Sequence, residues 1–335
     1  METYFLQPNQ EATLSLYNGT FEKSENIITR DRMLDASVVA QGKRSAINPA
    51  QWKDKDSTIT QLPFTTGEAG TYVAGVSTKA RTIELTAEKF NNYLKHDGVI
   101  NMFEYRTENN LLDQDAVESY QKHVKAIYQV GDVKTDDWKT ILGYPIEFVP
   151  QENPYEKYTG DNLKVQLLLD GKPLVNQLVY ANHLKVEHTH AHDDHTHAHD
   201  GKEHSHGHDH GHDHERGHEH KDGQHDHDHD AHAEEHVHRQ GQHLRTDADG
   251  MVIVNFREDG IYYLRTIHMI NVTDSDELTH ESKWATLTFE ITHKHDETTH
   301  THEHHEDEDA IPTWVFIVLS LVIIGLLFVV FRKKD

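Results

Sequence analysis

The chain has no cysteine in 335 residues. That removes disulfides, thiolate metal sites and cysteine nucleophiles together. Positive charge is also scarce: 32 Lys and Arg face 57 Asp and Glu, a formal charge of −25 with histidine neutral. Nucleic-acid phosphates would be repelled, whereas cations would be attracted. Enzyme signatures are missing. His280-Glu281 is followed by Trp284, and His302-Glu303 by Glu306, where a zincin helix needs its second histidine. No G-x-S-x-G and no phosphate-binding glycine loop occurs. The chain is therefore read as a non-enzyme. No charged-then-apolar leader precedes the strand-like start Met1-Glu2-Thr3-Tyr4-Phe5-Leu6, so the start reads as incomplete.

Aliphatic residues are scarcest between His183 and His243, a stretch holding 22 of the 32 histidines. It cannot bury enough apolar surface to offset the entropy of folding. Its rhythm is H-x-H with Asp, Glu, Gly, Thr and Ala between. Neutral imidazole is the commonest protein ligand for transition metals, and alternation in an extended chain puts the rings on one side. The candidate ligands are His188, His190, His192, His195, His197, His199, His204, His206, His208, His210 and His212. They continue with His214, His218, His220, His225, His227, His229, His232, His236 and His238. Three or four rings can converge on one ion, so many overlapping sites are expected rather than one cage. Raw affinity would follow the common divalent order, with copper(II) highest, so the tract by itself does not select its metal. The same ring chemistry also allows pH buffering. A second tract, His293 to His305, includes His295, His300, His302 and His304 and reads as a tether that binds metal too.

Ile311 to Phe331 carries no charge, with Trp314 near one end and Arg332, Lys333 and Lys334 after the other. About 20 apolar residues span a bilayer as a helix. The basic flank belongs in the cytoplasm and the acidic flank, Glu303 to Asp309, outside. The expectation is a single-pass membrane protein whose bulk is extracytoplasmic, in the periplasm. A tail-anchored cytoplasmic protein is the alternative.

The rest of the chain is patterned for β-structure. Ala12, Leu14 and Leu16 alternate, and further strands are expected at Met33 to Val39, Ser57 to Leu62 and Thr71 to Ser77. Thr86 is placed to cap a helix bearing Phe90, Tyr93 and Leu94. A longer helix is expected from Asp113 to Gln129, with Val117, Tyr120, Val124, Ile127 and Tyr128 on its apolar face. Strands resume at Leu163 to Leu169, Leu174 to Asn182, Val252 to Phe256, Ile261 to Met269 and Ala285 to Ile291. The fold expected is mainly β, with two sandwich domains of immunoglobulin-like or transthyretin-like type. Their division is 1–85 and 144–293, with a helical linker at 86–143 and the His-rich insertion 183–243 in the second domain. A tether at 294–310 and the span at 311–331 complete it. Most strand connections are only a few residues, so an insertion this long is functional or disordered. Outside the tracts, His96, His123 and His268 are the ligand candidates. His268 leads because Met269, a possible soft ligand, adjoins it.

Several stretches carry a family resemblance. They are Tyr4 to Asn9, Leu85 to Leu94, Tyr120 to Lys125, Glu147 to Tyr155, Thr246 to Gly250, Gly260 to Met269 and Ser282 to Phe289. In this order the chain resembles extracytoplasmic proteins described as nickel or cobalt transport components, a conserved domain of unknown function. The resemblance implies an exported protein with two β domains, often beside metal uptake machinery. A His-Asp-aromatic start usual in that family is missing here; if that histidine is a ligand in the family, any site it shares with His268 or His123 is incomplete as written. Asp170 to Leu174 and Thr246 to Gly250 also look like a transthyretin-like or carboxypeptidase-regulatory sandwich.

The leading expectation is a membrane-anchored protein that captures nickel, cobalt or zinc for a permease or receptor. The competing class is a structural or adhesion module whose tract buffers protons or metal. A metal-sensing ectodomain is the third.

Overall fold

The computed structural model describes residues 3–19, 24–185 and 241–294. The first strands are β1 (Phe5–Leu6), β2 (Glu11–Leu16), β3 (Met33–Ala40), β4 (Lys43–Ala46), β5 (Lys53–Lys55), β6 (Ile59–Thr65), β7 (Gly70–Thr78) and β8 (Arg81–Leu85). Helices α1 (Ala87–His96) and α2 (Ile100–Glu108) follow. Then come β9 (Ala116–Val130), β10 (Ile146–Pro150), β11 (Asn162–Leu169), β12 (Lys172–Pro173), β13 (Leu178–Leu184), β14 (Gln242–Arg245), β15 (Met251–Asn255), β16 (Gly260–Asn271) and β17 (His280–Ile291).

The protein is mainly β, as its alternation predicts. Helix α1 forms where expected, and the Thr86 hydroxyl accepts from the Lys89 N–H at 3.4 Å. The longer helix does not form. Residues 116–130 are instead β9, the strand that connects the largest sheet. Five of its apolar residues do repeat at helical spacing, but that spacing misleads for a physical reason. Residues 126–130 are all buried, so the strand's second half has two covered faces and no polar one. Covered positions along the strand also carry polar groups with partners. Glu118 accepts from Ser282 and Tyr93, His123 meets Ser77, Lys125 pairs with Glu147, and Gln129 accepts from Thr71. Buried polar groups on a strand erase the period of two that sequence reading needs.

β9 joins strands from both halves of the chain. It is antiparallel to β7 and β8 on one side, and parallel to β17 and β1 on the other. The path β14-β13-β16-β17-β9-β7-β3-β4 makes one sheet. Two smaller sheets, β10-β11-β12 with β15, and β2-β6-β5, hold the remaining strands among the described residues. A continuous buried cluster runs from Tyr4 and Leu14 through Tyr128 and Phe148 to Phe256 and Phe289. Gly75 in β7 shows how close the packing is. A Cβ there would lie 2.4 Å from Leu142 Cδ1 and 2.5 Å from the Tyr144 hydroxyl.

The opposite face of β9 and β17 carries the helices. Phe90, Leu94, Val99 and Met102 pack there on Ala116 and Ile267. Among the described residues no helix is long and apolar enough to cross a membrane. The span at 311–331 lies outside the described residues.

Candidate metal centre

The histidines from His188 to His238, and the second tract from His295 onward, lie outside the described residues. The roots of the first tract are described. Strands β13 and β14 are antiparallel neighbours, with Ala181 opposite Gln242 and Tyr180 opposite His243. The segment 186–240 therefore leaves and re-enters at one edge of the large sheet, as an insertion in a hairpin connection. His183 stacks on Tyr262 at 5.1 Å between ring centroids, and the His243 ring meets Tyr180 edge-on at 4.8 Å.

The second tract begins at the same end of the sheet. Leu184 is paired with Ile261, and Gly260 with Ile291, so the turn at Glu258 and Asp259 lies between the two departing chains. The Lys185 ammonium is 2.6 Å from Glu258, and the His293 ring bonds Asp259. The Lys185 ammonium holds the Glu258 carboxyl below its usual range.

His268, the leading folded candidate, is half-buried on β16. Gln177 Nε2 donates to Thr266 Oγ1 and to the Ile267 carbonyl, which turns Gln177 Oε1 toward His268 Nδ1 at 3.2 Å. Nδ1 is then the protonated nitrogen, leaving Nε2 with the lone pair a metal needs. Burial, and then the Lys283 ammonium, push the ring's pKa down. Met269 cannot join it. The alternation of β16 puts Met269 on the helix-bearing face, packed against the Phe90 and Leu94 cluster.

His123 lies on strand, not helix, and on the same face as His268. Their registers meet β17 two residues apart, at Ala285 and Lys283. Its Nδ1 is 3.0 Å from the Ser77 hydroxyl, and its buried Nε2 has no partner. Burial, with Lys283 second, lowers its pKa to about 4. Lys283 thus bears on both rings, and its charge would repel a cation placed between them. His280 sits on the other face against the Phe90 ring at 4.6 Å, with its pKa likewise lowered to about 4 by burial and then by Arg106. His96 ends α1. Among the described residues no three metal-ligating side chains converge.

Sequence reading missed the groups around β9 that the fold does bring together: Glu118, Lys122 and Arg32. Nothing in their spacing marks them, because they come from separate elements and meet only through the sheet.

A family model described as Domain of unknown function (DUF4198) matches residues 2–204. No curated protein matches the chain. Among solved structures, the D0-D1 domain of Intimin is similar at 9% identity over 87% of this chain and 95% of that one, with a TM-score of 0.18. So low a score carries no argument.

Proposed function

The chain belongs to the family described as Domain of unknown function (DUF4198), and we propose that this member captures nickel, cobalt or zinc outside the cytoplasm for a metal transporter. One observation carries the reading. A tract with a histidine at nearly every second position is inserted between two strands, β13 and β14, that pair with each other at its base. Such an insertion ties its histidines to the fold at both ends. Neutral imidazoles at this density bind borderline divalent ions in many exchangeable arrangements. Exchangeable sites suit capture and delivery better than tight storage. The apolar run at 311–331, with its basic flank, would hold the protein on the outer side of a membrane beside its transporter.

Equilibrium dialysis of the full chain against nickel, cobalt and zinc, with and without residues 188–238, tests the proposal. Several equivalents bound by the full chain and lost on deletion are expected. A full chain that binds none of the three at micromolar metal would end it. One tight site surviving the deletion would move the centre to the folded histidines, His268 first.

A further inference from the structure

Arg32 and Lys122 lie near enough on the helix-bearing side of β9 for the Arg32 charge to act on Lys122, and among the described residues neither makes an ion pair. The Arg32 guanidinium lies over the Tyr120 ring at 5.0 Å, and its Nη1 donates to the Tyr120 hydroxyl at 3.3 Å. Its Nε and Nη2 are buried and have no hydrogen-bond partner. These two atoms form the edge of the guanidinium that grips a carboxylate with two parallel bonds. The Lys122 ammonium lies over the Trp284 ring at 4.5 Å and donates to Asn18 Oδ1 at 2.8 Å. Tyr93 stacks on Trp284 in turn.

The acids nearby are committed elsewhere. Asp97, at the end of α1, is ion-paired with Arg265 at 3.1 Å. Glu118 is buried against Ser282 and Tyr93, and burial raises its pKa, favouring the neutral acid. Asp31 is exposed and bonded to Thr29. Burial lowers the Lys122 pKa, with Asp97 and Glu118 opposing and Arg32 and Arg265 reinforcing the shift. Asp97 and Glu118 act on Lys122 without pairing with it, and the unsatisfied buried donor pair of Arg32 calls for a partner.

We propose that Arg32 and Lys122 form a receptor for a small organic carboxylate, with Tyr120, Trp284 and Tyr93 packing its carbon skeleton. The carboxylate accepts from Arg32 Nε and Nη2 and neutralises Lys122. Arg32 ends a short turn whose other residues, Arg30 and Asp31, are exposed, which places the buried fork close beneath the surface. The aromatic flanks favour an organic acid over an inorganic oxyanion. The proposal does not depend on metal binding by the tract.

Isothermal titration of the metal-stripped full chain with succinate, and separately with inorganic phosphate, tests it. Saturable one-site binding of succinate, tighter than phosphate, is expected. Arg32→Lys keeps the charge but loses the fork, and should weaken succinate by about tenfold or more, the effect of one charge-assisted hydrogen bond. Lys122→Met should weaken it as well. No saturable binding, unchanged affinity in Arg32→Lys, or tighter binding of phosphate would each overturn the proposal. If Arg32→Lys fails to fold, phenylglyoxal labelling of the unaltered protein decides: succinate must protect Arg32, and unprotected labelling sinks the idea.

Discussion

Acid should destabilise this fold through two buried histidines, and the size of the effect follows from their surroundings. His123 and His280 are 2% and 1% exposed. Each has a pKa lowered from 6.5 to about 4, mainly by burial. In the unfolded chain the rings take up protons as pH falls through about 6.5. In the folded chain they do not until about 4. Stability is therefore full above the unfolded value, falls as pH drops between the two, and levels off below the folded one. At about 1.4 kcal/mol per pH unit of separation, each ring accounts for about 3 kcal/mol between pH 7 and pH 4. Both together are a large share of the roughly 5–15 kcal/mol that holds a typical domain.

The assay is urea unfolding of the full chain at pH 7, 5.5 and 4, beside His123→Gln, His280→Gln and the double variant. Comparing variants at each pH removes the carboxylates and tract histidines that titrate in all of them. Each single substitution costs stability at pH 7, where it disturbs a fitted ring, but that cost shrinks by about 3 kcal/mol toward pH 4. The double variant should show about twice the flattening, because the rings lie on opposite faces of the sheet and act independently. Parallel pH profiles for all four proteins would refute the reasoning.

The buried Lys125–Glu147 pair, 2.6 Å apart with both side chains under 4% exposed, should respond unequally to its two halves. Glu147→Leu leaves the ammonium only the Thr140 and Phe148 carbonyls and strands the N–H groups of Leu142, Gly143 and Tyr144, costing about 3–5 kcal/mol by urea unfolding, whereas Lys125→Met leaves the carboxylate those three donors and should cost less. Equal losses would show that the backbone donors contribute nothing. Gly98→Ala should be among the worst single substitutions. It forces a side chain onto φ +74° and drives a Cβ to 2.4 Å from the Tyr180 ring, and a melting temperature within a degree or so of the parent would contradict that packing. Thr86→Ala removes the cap of α1, and because that bond is long the loss should stay near the low end of about 0.5–2 kcal/mol, read from the same unfolding curves.

Much of the β-structure was legible because one face of a strand was dry and the other wet. β2, β11 and β15 show that alternation and lie where their residues predict. The capped helix α1 was legible for the same reason, a local signal. β9 was not, because its covered polar groups find partners at Ser77, Glu147 and Ser282 that only the sheet supplies. The paired contribution of Met269 to His268 failed on the simplest geometry: adjacent residues on a strand face opposite ways. The histidine tract stood out by composition, yet the arrangement of its two roots beside one turn depends on strand order. The unpaired fork of Arg32 had no sequence signal at all, since an orphaned donor is defined by what surrounds it.

The place of the tract also explains how a fold tolerates it. Closing a loop costs only about 0.6 kcal/mol for each doubling of its length, so extending a tight hairpin to span 185–241 adds about 2 kcal/mol. The strands it separates have local means to offset that. Thr246 and Gln177 exchange backbone and hydroxyl hydrogen bonds at the far end of the ladder, and Tyr180 holds His243 edge-on. Tyr180 also donates to the Gly98 carbonyl, which ties β13 to the turn after α1. The hairpin is therefore fixed from the side away from the tract. If the tract binds metal as proposed, ion exchange there need not break these root contacts.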